Sequence, residues 1–155
     1  MTETHWLDET ELHAWRAFLA MQRRLFARLA EHQQRECDIS PADYDVLAQL
    51  SEAPAGRMSS AELGAATQWE KSRLSHHLAR MTRRGLVRRE AAGAGRYPDV
   101  VLTGGGRAAI TKAAPVHIAD VRAWFIDAIG AERLARFAED CEAVCAALDA
   151  NPPAE

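Results

Sequence analysis

Ser59-Ser60-Ala61-Glu62-Leu63, followed by Trp69-Glu70-Lys71-Ser72-Arg73-Leu74-Ser75-His76-His77-Leu78-Ala79-Arg80-Met81 and closed by Gly85-Leu86-Val87, is the stretch whose reading decides the fold. A serine with a glutamate three residues later is a capping box, so Ser59 and Glu62 predict a short helix over 59–67. A second helix is expected from about 70 to 84. Its Leu74, Leu78 and Met81 fall at i, i+4 and i+7 and share one face. Leu63 completes the core, and Trp69 plugs the turn. Gly85 ends the helix because it takes positive φ without strain. Two helices joined by so tight a turn have helix-turn-helix spacing. The opposite face of the second helix carries Lys71, Ser72, Arg73, Ser75, His76 and Arg80. Such side chains reach base edges and phosphates when a helix lies in a major groove. His77 is expected to pack at the surface.

Beyond Gly85 the periodicity changes. Leu86-Val87-Arg88-Arg89-Glu90 is a strand pattern, residues 91–98 hold two glycines and a proline, and Asp99-Val100-Val101-Leu102 is a second strand. Two strands around a flexible basic loop make a β-hairpin wing. Residues 57–107 thus form a winged helix-turn-helix. Thr103 caps the next helix. Gly104-Gly105-Gly106 lacks the residues of a phosphate loop and is expected to loosen the joint between wing and helix. Pro115 is expected to kink or interrupt that helix. A last helix covers about 131–150. Upstream, Ser40 caps a short helix with Pro41 at its first position, and Ala53-Pro54-Ala55-Gly56 stops it. Residues 7–36 form a long helix without Pro or Gly. Its extensive apolar side, including Trp15, Phe18 and Phe26, suggests burial against another subunit.

The chain of 155 residues is 48% hydrophobic and 26% charged, an ordinary globular composition. No apolar run approaches the roughly 18–20 residues that span a bilayer, and the acidic residues 1–15 do not form a secretory signal. No membrane partner is expected, and cytoplasm is the expected location. The net charge of −3 conceals a division. Residues 1–56 hold 5 basic and 10 acidic side chains, 57–107 hold 10 and 4, and 108–155 hold 4 and 8. A basic middle between acidic flanks suits contact with a polyanion, here double-stranded DNA.

Cys37, Cys141 and Cys145 are too few and too scattered for a disulfide framework. Cys141 and Cys145 share a helix face and read as small, partly buried hydrophobes. A redox role needs a depressed thiol pKa, and no basic residue lies one turn from either. No Cys/His spacing suits a metal, and none is expected, nor any other cofactor. Trp6, Trp15 and Trp124 read as core or interface residues. No nucleophile–base pair or paired carboxylates point to catalysis, so no catalytic residue is assigned and the chain does not read as an enzyme.

Glu62-Leu63, the run from Trp69 to His76, Arg80-Met81, Gly85-Leu86-Val87-Arg88-Arg89 and Val101-Leu102-Thr103 together resemble the MarR family of bacterial regulators. The likeness is close over residues 41–108 and looser over the remaining helices. It implies a mainly α fold with a small β-hairpin wing, a single domain over 1–155. Within it a winged helix-turn-helix at 41–107 is flanked by dimerisation helices at 1–38 and 108–150. It also implies a homodimer that binds pseudo-palindromic DNA as a repressor, relieved by a small aromatic or acidic effector or by an oxidant. The segment from Ala114 to Arg122 resembles part of some MarR-like regulators. Trp15, Tyr44, His117 and Arg122 are the candidate effector contacts, with Arg122 pairing a carboxylate.

One departure concerns the wing. The family's usual Asp-x-Arg falls on Ala94 and Arg96, so the arginine expected in the minor groove is present and its acidic brace is not. A narrow minor groove attracts arginine without help from a carboxylate. Weaker discrimination through the wing is therefore expected, not loss of binding. Two other readings stand beside the regulator. One is a small-molecule or protein-interaction module that keeps the fold without operator binding, and the other is a cysteine-based oxidation sensor.

Overall fold

The first three helices start by one device. At Asp8, Ser40 and Ser59 the cap side chain accepts the N–H of the residue three positions on. The side chain of that residue, Glu11, Asp43 or Glu62, accepts the cap's own N–H in return. Two otherwise orphaned donors are satisfied each time. The helices are α1 (Glu9–Cys37), α2 (Pro41–Glu52) and α3 (Ser60–Thr67). The computed structural model describes residues 6–91 and 98–151, and the chain divides into two units, Met1–His117 and Ile118–Glu155.

In the first unit, β1 (Arg57–Met58) follows α2, and α4 (Lys71–Arg83) follows α3. Glu70 caps α4 in an extended conformation, one residue inside the expected start. Gly85 closes it at φ 71°, with its N–H donating to the Thr82 carbonyl and the Leu86 N–H to that of Met81. That is a Schellman ending, and its apolar pair, Met81 and Leu86, is buried as the motif requires. Leu86 consequently stands outside the strand that the alternation assigned to it.

β2 (Val87–Glu90) and β3 (Asp99–Leu102) pair antiparallel, with Val87 opposite Leu102 and Glu90 opposite Asp99. The wing is a three-stranded sheet rather than a bare hairpin, because β1 pairs with the other edge of β3. A two-residue strand is too short to leave an alternation in the sequence. Val46, Leu47 and Leu50 of α2 meet Leu63, Leu74, Leu78, Met81, Val87, Val100, Ile110 and Ala113 in one core. Each large side chain fully buried there contributes about 1.5–3 kcal/mol.

One expectation after the wing fails, and a second fails as far as interruption goes. The three glycines do not loosen the joint; they are the first turn of α5 (Gly104–Val121). Thr103 caps that turn, its hydroxyl oxygen accepting the Gly106 N–H at 2.9 Å. A Cβ on Gly106 would sit 2.0 Å from the Leu86 carbonyl oxygen, and one on Gly105 would sit 3.0 Å from that of Gly85. The glycines thus let α5 press against the corner between α4 and β2. Pro115 does not interrupt α5 either, which runs on to Val121, since one missing donor in a long helix leaves the flanking turns bonded.

In the second unit a π-type turn at Arg122–Ile126 leads to α6 (Asp127–Ile129) and α7 (Ala131–Ala150). Phe125 meets Phe137 edge to face at 5.5 Å. α7 buries none of its residues, and Cys141 and Cys145 are exposed, contrary to the partly buried state expected for them. No helix among the described residues is long and apolar enough to cross a membrane.

Candidate nucleic-acid interface

α4 divides cleanly into two faces. Leu74, His77, Leu78 and Met81 are buried against α2 and the sheet, while Lys71, Ser72, Arg73, Ser75, His76 and Arg80 are all exposed. The structure thus brings six of the seven expected DNA contacts onto one helix. The seventh, Arg96, lies outside the described residues, as does Ala94. At the base of the wing Arg57 contacts Glu90 and lies 3.7 Å from Asp99, and Arg88 also contacts Glu90.

Two of the arginines are already oriented. The Arg73 guanidinium lies over the Trp69 ring, 4.3 Å from its centroid, a cation–π contact that fixes its plane. Arg80 donates through Nη2 to His77 Nδ1 at 2.8 Å. Trp69 itself meets His77 edge to face at 5.3 Å. The turn residue therefore supports the interface as well as the core.

His77 is not the surface residue the sequence led us to expect; it is 5% exposed. It follows Leu74 by three residues and precedes Met81 by four, so helical periodicity alone places it on the apolar face. Its Nε2 lies 3.1 Å from Asp43 Oδ1, an approach poorly directed for a hydrogen bond. Asp43 is equally buried and receives the Ser40 N–H at 2.9 Å and Arg84 Nη1 at 2.6 Å. Arg84 also donates to the Asp38 carbonyl at 2.6 Å. Burial disfavours the charged form of Asp43, but the hydrogen bonds from Ser40 and Arg84 outweigh it and hold the pKa below the ordinary 3.8. For His77, burial outweighs the attraction of Asp43, and Arg80 and Arg73 add to it; the ring's pKa falls below the ordinary 6.5. Asp43 thus ties the middle and the end of α4 to the start of α2. Sequence reasoning missed this cluster because its members lie up to 46 positions apart.

Of the four expected effector contacts, Tyr44 and His117 come together, with ring centroids 4.4 Å apart. Burial, and then the charge of Glu52, raises the Tyr44 pKa above 10.0, so its hydroxyl keeps its proton at neutral pH. Trp15 is exposed on α1 and stacks on Phe18 at 5.7 Å. Arg122 is exposed in the second unit. Among the described residues, no three His, Cys, Asp or Glu side chains gather as a metal site would need.

Comparison with known proteins bears on this geometry. A model of the MarR family matches residues 38–96. AbsC, a MarR family transcriptional regulator from Streptomyces coelicolor, is 36% identical; the match covers 96% of this chain and 100% of AbsC, with a TM-score of 0.90. Sco3205 from the same organism, a MarR family transcriptional regulator solved in complex with DNA, is 29% identical over 99% of this chain and 95% of its own, again with a TM-score of 0.90. A mutant of MarR from E. coli, complexed with operator DNA, shares the fold at 21% identity and a TM-score of 0.78, over 90% of this chain and 99% of its own. No curated protein matches the sequence.

Proposed function

The chain belongs to the MarR family of transcriptional regulators, and on that premise we propose that it is a homodimeric repressor of a pseudo-palindromic operator, released by a small effector. The observation that carries this reading is the outer face of α4. Six polar side chains stand exposed on one helix, within a segment of 10 basic and 4 acidic residues.

Lys71, Ser72 and Arg73 lie in the first turn, which enters the groove first, and with Ser75 and His76 they read bases. Arg80 serves the same face one turn later. Arg96 of the wing enters the adjacent minor groove. Lysine and arginine also supply affinity that is independent of sequence, through counterion release. Two copies read half-sites about one helical turn apart. The exposed apolar side of α1 supports association of two copies, with Trp15, Phe18 and Phe26 all more than two-fifths exposed in the single chain.

Tyr44 and His117 form the core of the effector reading, with Trp15 as a further contact of the same unit. An aromatic ligand suits them, because they offer rings to stack on. The effector acts only by binding one separation of the two α4 helices better than the other.

Selection of genomic fragments by the purified protein tests the reading. Recovery of a palindrome whose affinity falls steeply with salt is the expected result. Retention of fragments without a shared motif, or of none, would leave a family fold without operator binding and overturn the proposal. Arg96→Ala is expected to weaken binding and reduce the salt slope; unchanged values of both would remove the wing from the interface.

A further inference from the structure

Arg80 is exposed, yet its guanidinium is held from below. A guanidinium only donates hydrogen bonds, so at 2.8 Å from Arg80 Nη2 the His77 Nδ1 must be the acceptor. The ring is then neutral, and its proton sits on Nε2, which faces Asp43 Oδ1 at 3.1 Å. The other Asp43 oxygen receives Arg84 and the Ser40 N–H, so the carboxylate cannot swing away without abandoning both. A chain of contacts thus runs from the start of α2 through a buried imidazole to one guanidinium on the outer face of α4.

We propose that His77 is the positioning residue for Arg80: its neutral ring, backed by Asp43, holds the guanidinium in the orientation that α4 presents to DNA. This rests on the DNA reading of α4 given above. It adds a sensitivity to acid. Protonation of the ring occupies Nδ1, so the acceptor disappears and Arg80 faces a cation instead. The groups around the ring are Asp43 from α2, Arg73 and Arg80 from α4, and the edge of Trp69 from the turn before α4. Asp43 favours the charged ring; burial and the two arginines oppose it and prevail, so the change comes below the ordinary histidine value of 6.5.

Three proteins test the proposal: wild type, His77→Gln and His77→Leu. Glutamine keeps an acceptor for Arg80 and an N–H facing Asp43 but does not titrate. Leucine keeps much of the volume and loses both. Affinity for a selected genomic fragment is measured at about pH 7.5 and about pH 5.5. Effects of acid on every other group are shared by all three proteins, so the comparison between them isolates His77. Relative to His77→Gln, wild type is expected to lose severalfold, and less than about tenfold, on acidification, because the ring takes up its proton below the ordinary 6.5. His77→Leu is expected to be weaker by a similar factor already at neutral pH. Identical pH profiles for wild type and His77→Gln, or wild-type affinity in His77→Leu at neutral pH, would overturn the proposal.

The Arg80 side-chain N–H resonances of the DNA-free protein form the second arm. They are expected to be slowed in exchange at neutral pH in wild type and His77→Gln, and averaged with solvent in acid-treated wild type. The same resonances in all three states would equally overturn the proposal. Failure to bind any fragment counts against the DNA reading alone, because this arm needs no DNA. Should His77→Leu not fold, the other two proteins still decide the matter.

Discussion

α4 and α7 are both amphipathic, and they resolve their apolar faces in opposite ways. α4 buries four of its 13 residues, all within its own unit. α7 buries none of its 20, and its Val144 and Leu148 stay 61% and 65% exposed. The difference separates two kinds of helix. The orientation of α4 is set by contacts inside the chain, as a reading helix requires if its side chains are to arrive in a fixed register. α7, like the outer side of α1, carries apolar surface that its own chain does not cover. Under the proposed function, a second copy covers it.

The strongest way to break this contrast is to hollow out the α4 side. Leu78→Ala removes a side chain that is 1% exposed, and it is expected to cost about 2–5 kcal/mol of unfolding free energy in urea titration. A loss below about 1 kcal/mol would show that α4 is not anchored as described. Next in size is the α7 side. Val144→Asp with Leu148→Asp is expected to weaken self-association about a hundredfold in sedimentation equilibrium, near 2.7 kcal/mol. An unchanged dimer, or a monomeric wild type, would remove α7 from the interface.

Acid sharpens the contrast from another side, since α4 has a buried imidazole. The folded pKa of His77 lies below its ordinary 6.5, so the unfolded chain binds the extra proton first as pH falls. Stability from this group is complete above 6.5 and declines as pH drops toward the folded value. His77→Gln is expected to flatten the decline in urea midpoints over that window. Asp43 has the opposite ionisation and a lower window: its contribution is present above 3.8 and is lost as pH falls through its depressed value. The smallest expected effect is Ser59→Ala, which removes the cap of α3 at about 1 kcal/mol in the same titration. No change there would mean that the packing of Leu63 alone holds the start of the helix-turn-helix.

Much of the frame was legible because its signals are local. The N-cap at Ser40, the capping box at Ser59, the i, i+4, i+7 spacing of Leu74, Leu78 and Met81, and the positive φ at Gly85 each act within a few residues. The six polar positions of α4 followed from the same periodicity. What escaped was non-local or too short. β1 is a strand only because β3 lies beside it. The three glycines after Thr103 looked like slack, and only the Leu86 carbonyl against Gly106 shows that they permit close approach. His77 was misjudged because its polarity was weighed above its position on the apolar face.

By itself, then, the sequence determined the order and type of the main helices and of the β2–β3 hairpin, the basic character of residues 57–107 and the identity of the outward face of α4. Those properties depend on caps, periodicity and charge count, which neighbouring residues settle among themselves. Only the tertiary structure decided that Asp43 reaches across to His77 and Arg84, that Arg73 lies on Trp69, and that Arg80 leans on a buried imidazole. The Asp43 contacts join α2 to α4, and the other two, between residues four and three positions apart, rest on a Trp69 packed against the core and a buried His77. The Asp43 contacts exist only after the core has closed, when burial makes an unpartnered polar group costly enough to select its partner.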